Sequence, residues 1–78
     1  VFMGDLNMTP DNPALAPLYA AMNDTGALLP PGAKSFPSEA PTEKIDYIFA
    51  TGEFHAERAD IPQIVASDHC PYVADLTL

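Results

Sequence analysis

Ser67-Asp68-His69-Cys70-Pro71 takes its meaning from two blocks upstream, Gly4-Asp5-Leu6-Asn7 and Lys44-Ile45-Asp46-Tyr47-Ile48-Phe49. Each block sets carboxylate, amide or imidazole groups at the end of a short apolar run. Such runs read as buried strands. A sheet whose strand ends meet would bring these distant polar groups into one site. The three blocks together therefore decide the reading; any one of them is ordinary turn chemistry.

The residue types suit a defined chemistry. Asp5 and Asn7 stand two apart, so in a strand that continues to Asn7 they share a face. A carboxylate that accepts a proton and an amide that donates a hydrogen bond suit an attacking water and a phosphoryl oxygen. The plain reading is a strand entering a turn, where Asp and Asn are common. His69 titrates near neutrality and can transfer protons. An imidazole used in this way needs a second group to fix its tautomer. Asp46, heading an apolar strand, is the candidate partner, since a partly buried carboxylate needs one.

In this order the blocks resemble the C-terminal part of the endonuclease/exonuclease/phosphatase superfamily, the DNase I-like metal-dependent phosphoesterases. The resemblance runs from Gly4 to about Leu78. It implies an α/β chain that is part of a DNase I-like four-layered α/β/β/α sandwich, its strands mostly in one of the two sheets. Residues 1–78 would be the C-terminal part of one such domain, with the N-terminal part absent. It also implies roles. Asp5 would orient or deprotonate the nucleophilic water, and Asn7 would stabilise the pentacovalent phosphorus. His69 would contact the scissile phosphate or act as base, with Asp46 holding it. Asp68 would lie at or near a bound Mg²⁺ or Mn²⁺. Members of the superfamily differ on which group is the base, and both readings stand. Their principal metal-binding Glu, an Asn near it and a further catalytic His or Tyr come from the N-terminal half.

The stretch Ser35-Phe36-Pro37-Ser38, followed by Pro41 and Lys44-Ile45-Asp46-Tyr47, resembles a segment common in bacterial metal-dependent hydrolases of this group, where it lies close to the site. Arginine is frequent there at the position of Lys44. Lysine keeps a charge that can meet a substrate phosphate but lacks the bidentate fork. A surface lysine is the competing reading.

Charge narrows the substrate. The chain carries 11 acidic residues against Lys34, Lys44 and Arg58, a net charge of −8. Nucleic-acid binders present a basic face to phosphates, and none is visible. A small or lipid-type phosphodiester or phosphomonoester is thus favoured over DNA. A DNA endonuclease or abasic-site nuclease is the second reading, and a non-catalytic, partner-dependent fragment the third. Zinc is disfavoured, because one Cys and two separated His give no ligand spacing. His55 reads as a surface residue. Cys70 reads as a small buried side chain, since adjacent residues in extended chain face opposite ways and a Cys70–His69 nucleophile pair is disfavoured. The single cysteine excludes an internal disulfide and implies no oxidising compartment; a cytoplasmic location is slightly favoured. No leader or long apolar run points to a membrane. Val1-Phe2-Met3 reads as the interior of a strand, so the chain is expected to be a piece of a longer protein. Seventy-eight residues make a marginal core, and the piece alone is expected to be inactive.

The elements follow from pattern. Val1–Leu6 reads as a strand. Asn12 and Pro13 read as a cap and first helical position, with Leu15, Leu18, Tyr19 and Met22 on one face. Pro17 marks a kink or the true start, and Asn23-Asp24-Thr25-Gly26 the end. Residues 26–43 read as a long loop with an extended piece at Ser35-Phe36. Ile45–Ala50, Phe54–Ala59 and Ile61–Val65 read as strands, and Tyr72–Leu78 alternates as a half-buried one.

Overall fold

Tyr47, Ile48, Phe49 and Ala50, from the most apolar run of the chain, are all buried. In the computed structural model, which describes residues 1–65 and 67–78, they belong to a central strand. Five strands lie among the described residues: β1 Phe2–Asp5, β2 Asn23–Asp24, β3 Asp46–Ala50, β4 His55–Asp60 and β5 Val73–Thr77. One α-helix, α1, spans Ala16–Ala21. The chain thus combines helix and strand. β3 lies between β1 and β2, antiparallel to both. β4 and β5 form a separate antiparallel pair, with an irregularity between Ala56 and Arg58. Three of the five described strands thus share one hydrogen-bonded sheet and two form another.

The core forms on one face of β3. Tyr47 and Phe49 point the same way by the two-residue period of a strand, and their rings stack at 5.6 Å. Leu15 completes the buried cluster, and Leu6, Met8, Leu18 and Met22 pack against it. Tyr19 meets Phe49 edge to face at 5.5 Å, a favoured aromatic geometry. Burying large aromatics contributes most of what a core this small can supply. The Tyr47 hydroxyl is not left unpaired: it donates to the Met8 carbonyl at 2.6 Å.

The helix begins in two steps. Asn12 caps a 3-10 turn, Pro13–Leu15, by accepting the Ala14 N–H at 2.9 Å. α1 then starts at Ala16, with Pro17 in its first turn, where a missing N–H costs nothing. Pro17 thus marks the start of α1, not a kink. Asn23-Asp24 goes beyond ending the helix, since it pairs with Ala50 and Phe49 of β3. Asp24 then caps a second 3-10 turn, Thr25–Leu28, by accepting the Gly26 N–H at 2.7 Å.

Two expectations need correction. Ile61–Val65 is not a strand. Ile61 is buried, but Pro62 has no N–H for a ladder, and Ile64 N–H turns back to the Pro62 carbonyl at 2.9 Å. The 26–43 loop is also tied down more than its prolines suggest. Phe36 and Glu43 form an antiparallel bridge with bonds of 3.0 and 2.9 Å. Buried Ser35 accepts the Ile45 N–H on its hydroxyl at 3.1 Å. The Phe36–Pro37 peptide is cis.

Lys44 is the anomaly of this core. It is 6% exposed, and its ammonium has no hydrogen-bond partner among the described residues. It lies 3.3 Å from the Tyr47 ring centroid and 5.4 Å from that of Tyr72. Cation–π attraction offsets part of the desolvation, but burial still lowers its pKa from 10.5 to about 8, against the pull of Asp24 and Asp46. A depressed lysine pKa means that folding favours the neutral amine. The fold is therefore least stable with respect to this group below pH 8 and recovers as pH rises towards 10.5. Lys44→Met should raise the melting temperature at pH 7, and the gain should shrink between pH 8 and pH 10.5. Melting curves across that range check it. A gain that stays constant with pH would show that the ammonium is not the source of the penalty.

Candidate functional site

The β1–β3 register places Asp5 directly opposite Asp46. Both belong to the strand ends, on the alternate face from Tyr47. His69 enters between them. Its Nδ1 lies 2.7 Å from Asp46 Oδ2, and its Nε2 lies 3.5 Å from Asp5 Oδ2. The imidazole is 24% exposed, Asp46 17% and Asp5 36%. The site is thus sealed on the Asp46 side and open on the Asp5 side. The Asp46 hydrogen bond raises the His69 pKa above its ordinary value. Partial desolvation opposes the rise, and the charges of Asp46, Asp5 and Asp68 add to it. The arrangement favours an imidazolium held between two carboxylates.

Several contacts set His69 in place. Ser38 N–H donates to the Asp68 carbonyl at 2.8 Å, and Cys70 N–H donates to the Ser35 carbonyl at 2.8 Å. The backbone is therefore pinned on both sides of His69. The Ser38 hydroxyl also donates to the Ser67 carbonyl. The Phe36 ring packs on the imidazole with centroids 4.8 Å apart.

The other expected residues lie differently. β1 ends at Asp5, and Asn7 takes φ 53°, a left-handed conformation that Asn tolerates better than most residues. The shared strand face of Asp5 and Asn7 is therefore absent. Instead the Asn7 N–H donates to Asp5 Oδ1 at 2.8 Å, an Asx-type turn in which Asn7 is exposed. Asp68 is exposed and lines a neighbouring hollow of about 590 Å³ with Pro37, Ser38, Glu39, Ala40, Val65 and Ser67. Lys44 is buried, with its ammonium over the Tyr47 ring, so the reading of it as a surface lysine fails. Phe36 lies in the stretch that the resemblance sets close to the site, but sequence reasoning assigned it no role of its own; its ring meets His69.

One donor atom each from Asp5, Asp46 and His69 lies within 4.8 Å of the others, close enough for one ion. The 2.7 Å separation of Nδ1 from Asp46 Oδ2 is that of a charge-assisted hydrogen bond, so this pair reads as a proton-sharing unit. The oxygens left for a hard cation are those of Asp5 and Asp68, both exposed. Mg²⁺ commonly uses only one or two carboxylates, water and substrate phosphate; Asp5 belongs to the cluster close enough for one ion, and Asp68 is not one of its three members.

No curated protein matches the chain. A solved structure similar to it is described as the crystal structure of a functionally unknown conserved protein from Enterococcus faecalis V583. The two share 23% identity with a TM-score of 0.78, over 96% of this chain and 34% of that one. At that identity the likeness speaks for the fold alone, and the chain spans about a third of that protein's length. The model of the Endonuclease/Exonuclease/phosphatase family matches residues 1–69, all three polar blocks up to His69 included. The chain belongs to the endonuclease/exonuclease/phosphatase family.

Proposed function

We propose that this chain carries the proton-handling half of a metal-dependent phosphoesterase, acting on a phosphodiester or phosphomonoester. The observation that carries the reading is the imidazole of His69, bound through Nδ1 to Asp46 and facing Asp5 through Nε2. Asp46 fixes the ring and favours its charged form. Nε2 then holds a proton where an anionic phosphoryl oxygen can accept it. Asp5, the more open carboxylate, orients the attacking water and draws off its proton. Asn7, turned beside Asp5, donates its amide to the phosphoryl group. Asp68 with Asp5 would hold Mg²⁺ or Mn²⁺, which when bound neutralises phosphate charge as a Lewis acid.

The charge distribution supports a small or lipid-type substrate over DNA. Of the three cationic side chains, Lys44 is buried and Arg58 pairs with Asp75 at 3.1 Å. Lys34 alone is left for a polyanion, and a DNA footprint needs a basic stripe. The architecture proposed is one part of a four-layered α/β/β/α sandwich, with further metal donors outside these 78 residues. The similar structure is about three times as long and shares its fold over 96% of this chain, which agrees with the chain being one part of a larger unit.

Two experiments test the reading. The protein that carries this chain should hydrolyse bis-p-nitrophenyl phosphate or p-nitrophenyl phosphate in Mg²⁺ or Mn²⁺ and stop in EDTA, whereas the 78-residue chain alone should not turn over either. EDTA-resistant hydrolysis would remove the metal from the mechanism. Asp46→Asn should lower kcat by roughly 10²–10⁴-fold, the usual worth of a positioned acid or base, with KM changed far less. Turnover within a few-fold of the parent would leave Asp46 a structural residue only.

A further inference from the structure

We infer that Phe36 is a positioning residue for His69, the aromatic plate against which the imidazole is set. This rests on the phosphoesterase reading of the site. A histidine side chain has two torsions to fix. The backbone on either side of His69 is fixed by the bonds from Ser38 N–H to Asp68 O and from Cys70 N–H to Ser35 O, both 2.8 Å. Asp46 fixes one ring nitrogen at 2.7 Å. A single hydrogen bond still lets a ring pivot about it. The Phe36 ring, at 4.8 Å and tilted by 48°, blocks that pivot on one side.

The same short segment supplies all of these contacts except the Asp46 bond. Ser35 and Ser38 are buried, Phe36 is half-buried between them, and the Phe36–Glu43 bridge anchors the segment next to β3. Segment 35–38 thus joins the strand bearing Asp46 to the loop bearing His69. Phe36 is not placed to touch a reacting atom. Its contribution is to where Nε2 points, and small misplacements of a reacting group are costly.

The test has a structural and a kinetic arm. In the intact protein, proton NMR should show cross-relaxation between the Phe36 ring and the imidazole protons of His69, with none to those of His55. Phe36→Leu should then lower kcat roughly tenfold or more with KM within about twofold, and Phe36→Tyr should restore kcat to near the parent value. Ser38→Ala, which removes the hydroxyl bond to Ser67 but keeps the main-chain bond, should lower kcat less than Phe36→Leu and in the same sense. It stands in if Phe36→Leu fails to fold. Missing cross-relaxation in the parent protein overturns the contact itself. A parent that hydrolyses phosphate esters, with Phe36→Leu or its stand-in equally active, overturns the positioning role alone. A parent with no phosphoesterase turnover overturns the wider reading and this role with it.

Discussion

Two carboxylates face each other across one rung of an antiparallel ladder, Asp5 on β1 and Asp46 on β3. Like charges in that relation repel, so the pair is tolerated only where something positive or protonated comes between them. His69 does so: its pKa is raised chiefly by the Asp46 hydrogen bond, with the charges of Asp46, Asp5 and Asp68 adding to the rise. The register that creates the problem is set on the other side of the sheet. Tyr47 and Phe49 must face Leu15 and α1 to be buried. A slip of one residue would turn them to solvent and carry Asp46 into the core. Hydrophobic packing on one face thus dictates the charge arrangement on the other.

Under the proposed function, that coupling would let a chain of net charge −8 offer an anionic phosphate somewhere to sit. Lys44 is spent inside the core and Arg58 on an exposed pair with Asp75. Neither reaches the cleft. Beside Asp5 and Asp46 the cationic group is His69, its pKa raised chiefly by the Asp46 hydrogen bond. A site built in this way gains little from long-range attraction of polyanions, because the field of the whole chain is repulsive.

The sequence made the strands of the β1–β3 pair legible because their polar ends stand out against apolar runs. The Asp46–His69 contact was legible for the same reason: a carboxylate heading Tyr47-Ile48-Phe49 had to find a partner. Asn7 was harder, since nothing in Gly4-Asp5-Leu6-Asn7 says whether the strand runs two residues further or turns at once. It turns, and the Asp5 side chain closes the turn by capping the Asn7 N–H. Ile61–Val65 has strand composition, but Pro62 withholds the hydrogen bond that composition cannot count. Lys44 was misjudged for a physical reason too. Its burial depends on Tyr47 and Tyr72 meeting around it, a tertiary arrangement that a sequence neighbourhood does not display.

The two halves of the cleft are not equally supported. His69 and Asp46 are preformed: a buried central strand, two main-chain bonds and an aromatic ring hold them. Asp5 and Asn7 hang on β1, an edge strand whose four residues are all exposed, with Phe2 and Met3 among the exposed apolar side chains. Beyond the ladder itself, they are held by the Leu6 N–H to Ile45 carbonyl bond at 3.0 Å and by the Asp5–Asn7 turn. Edge strands with one neighbour open more readily than central ones, and catalytic geometry tolerates little looseness. The proton-holding half of the site is therefore intrinsic to this chain. Asp5, on an exposed edge strand, is held less firmly than Asp46.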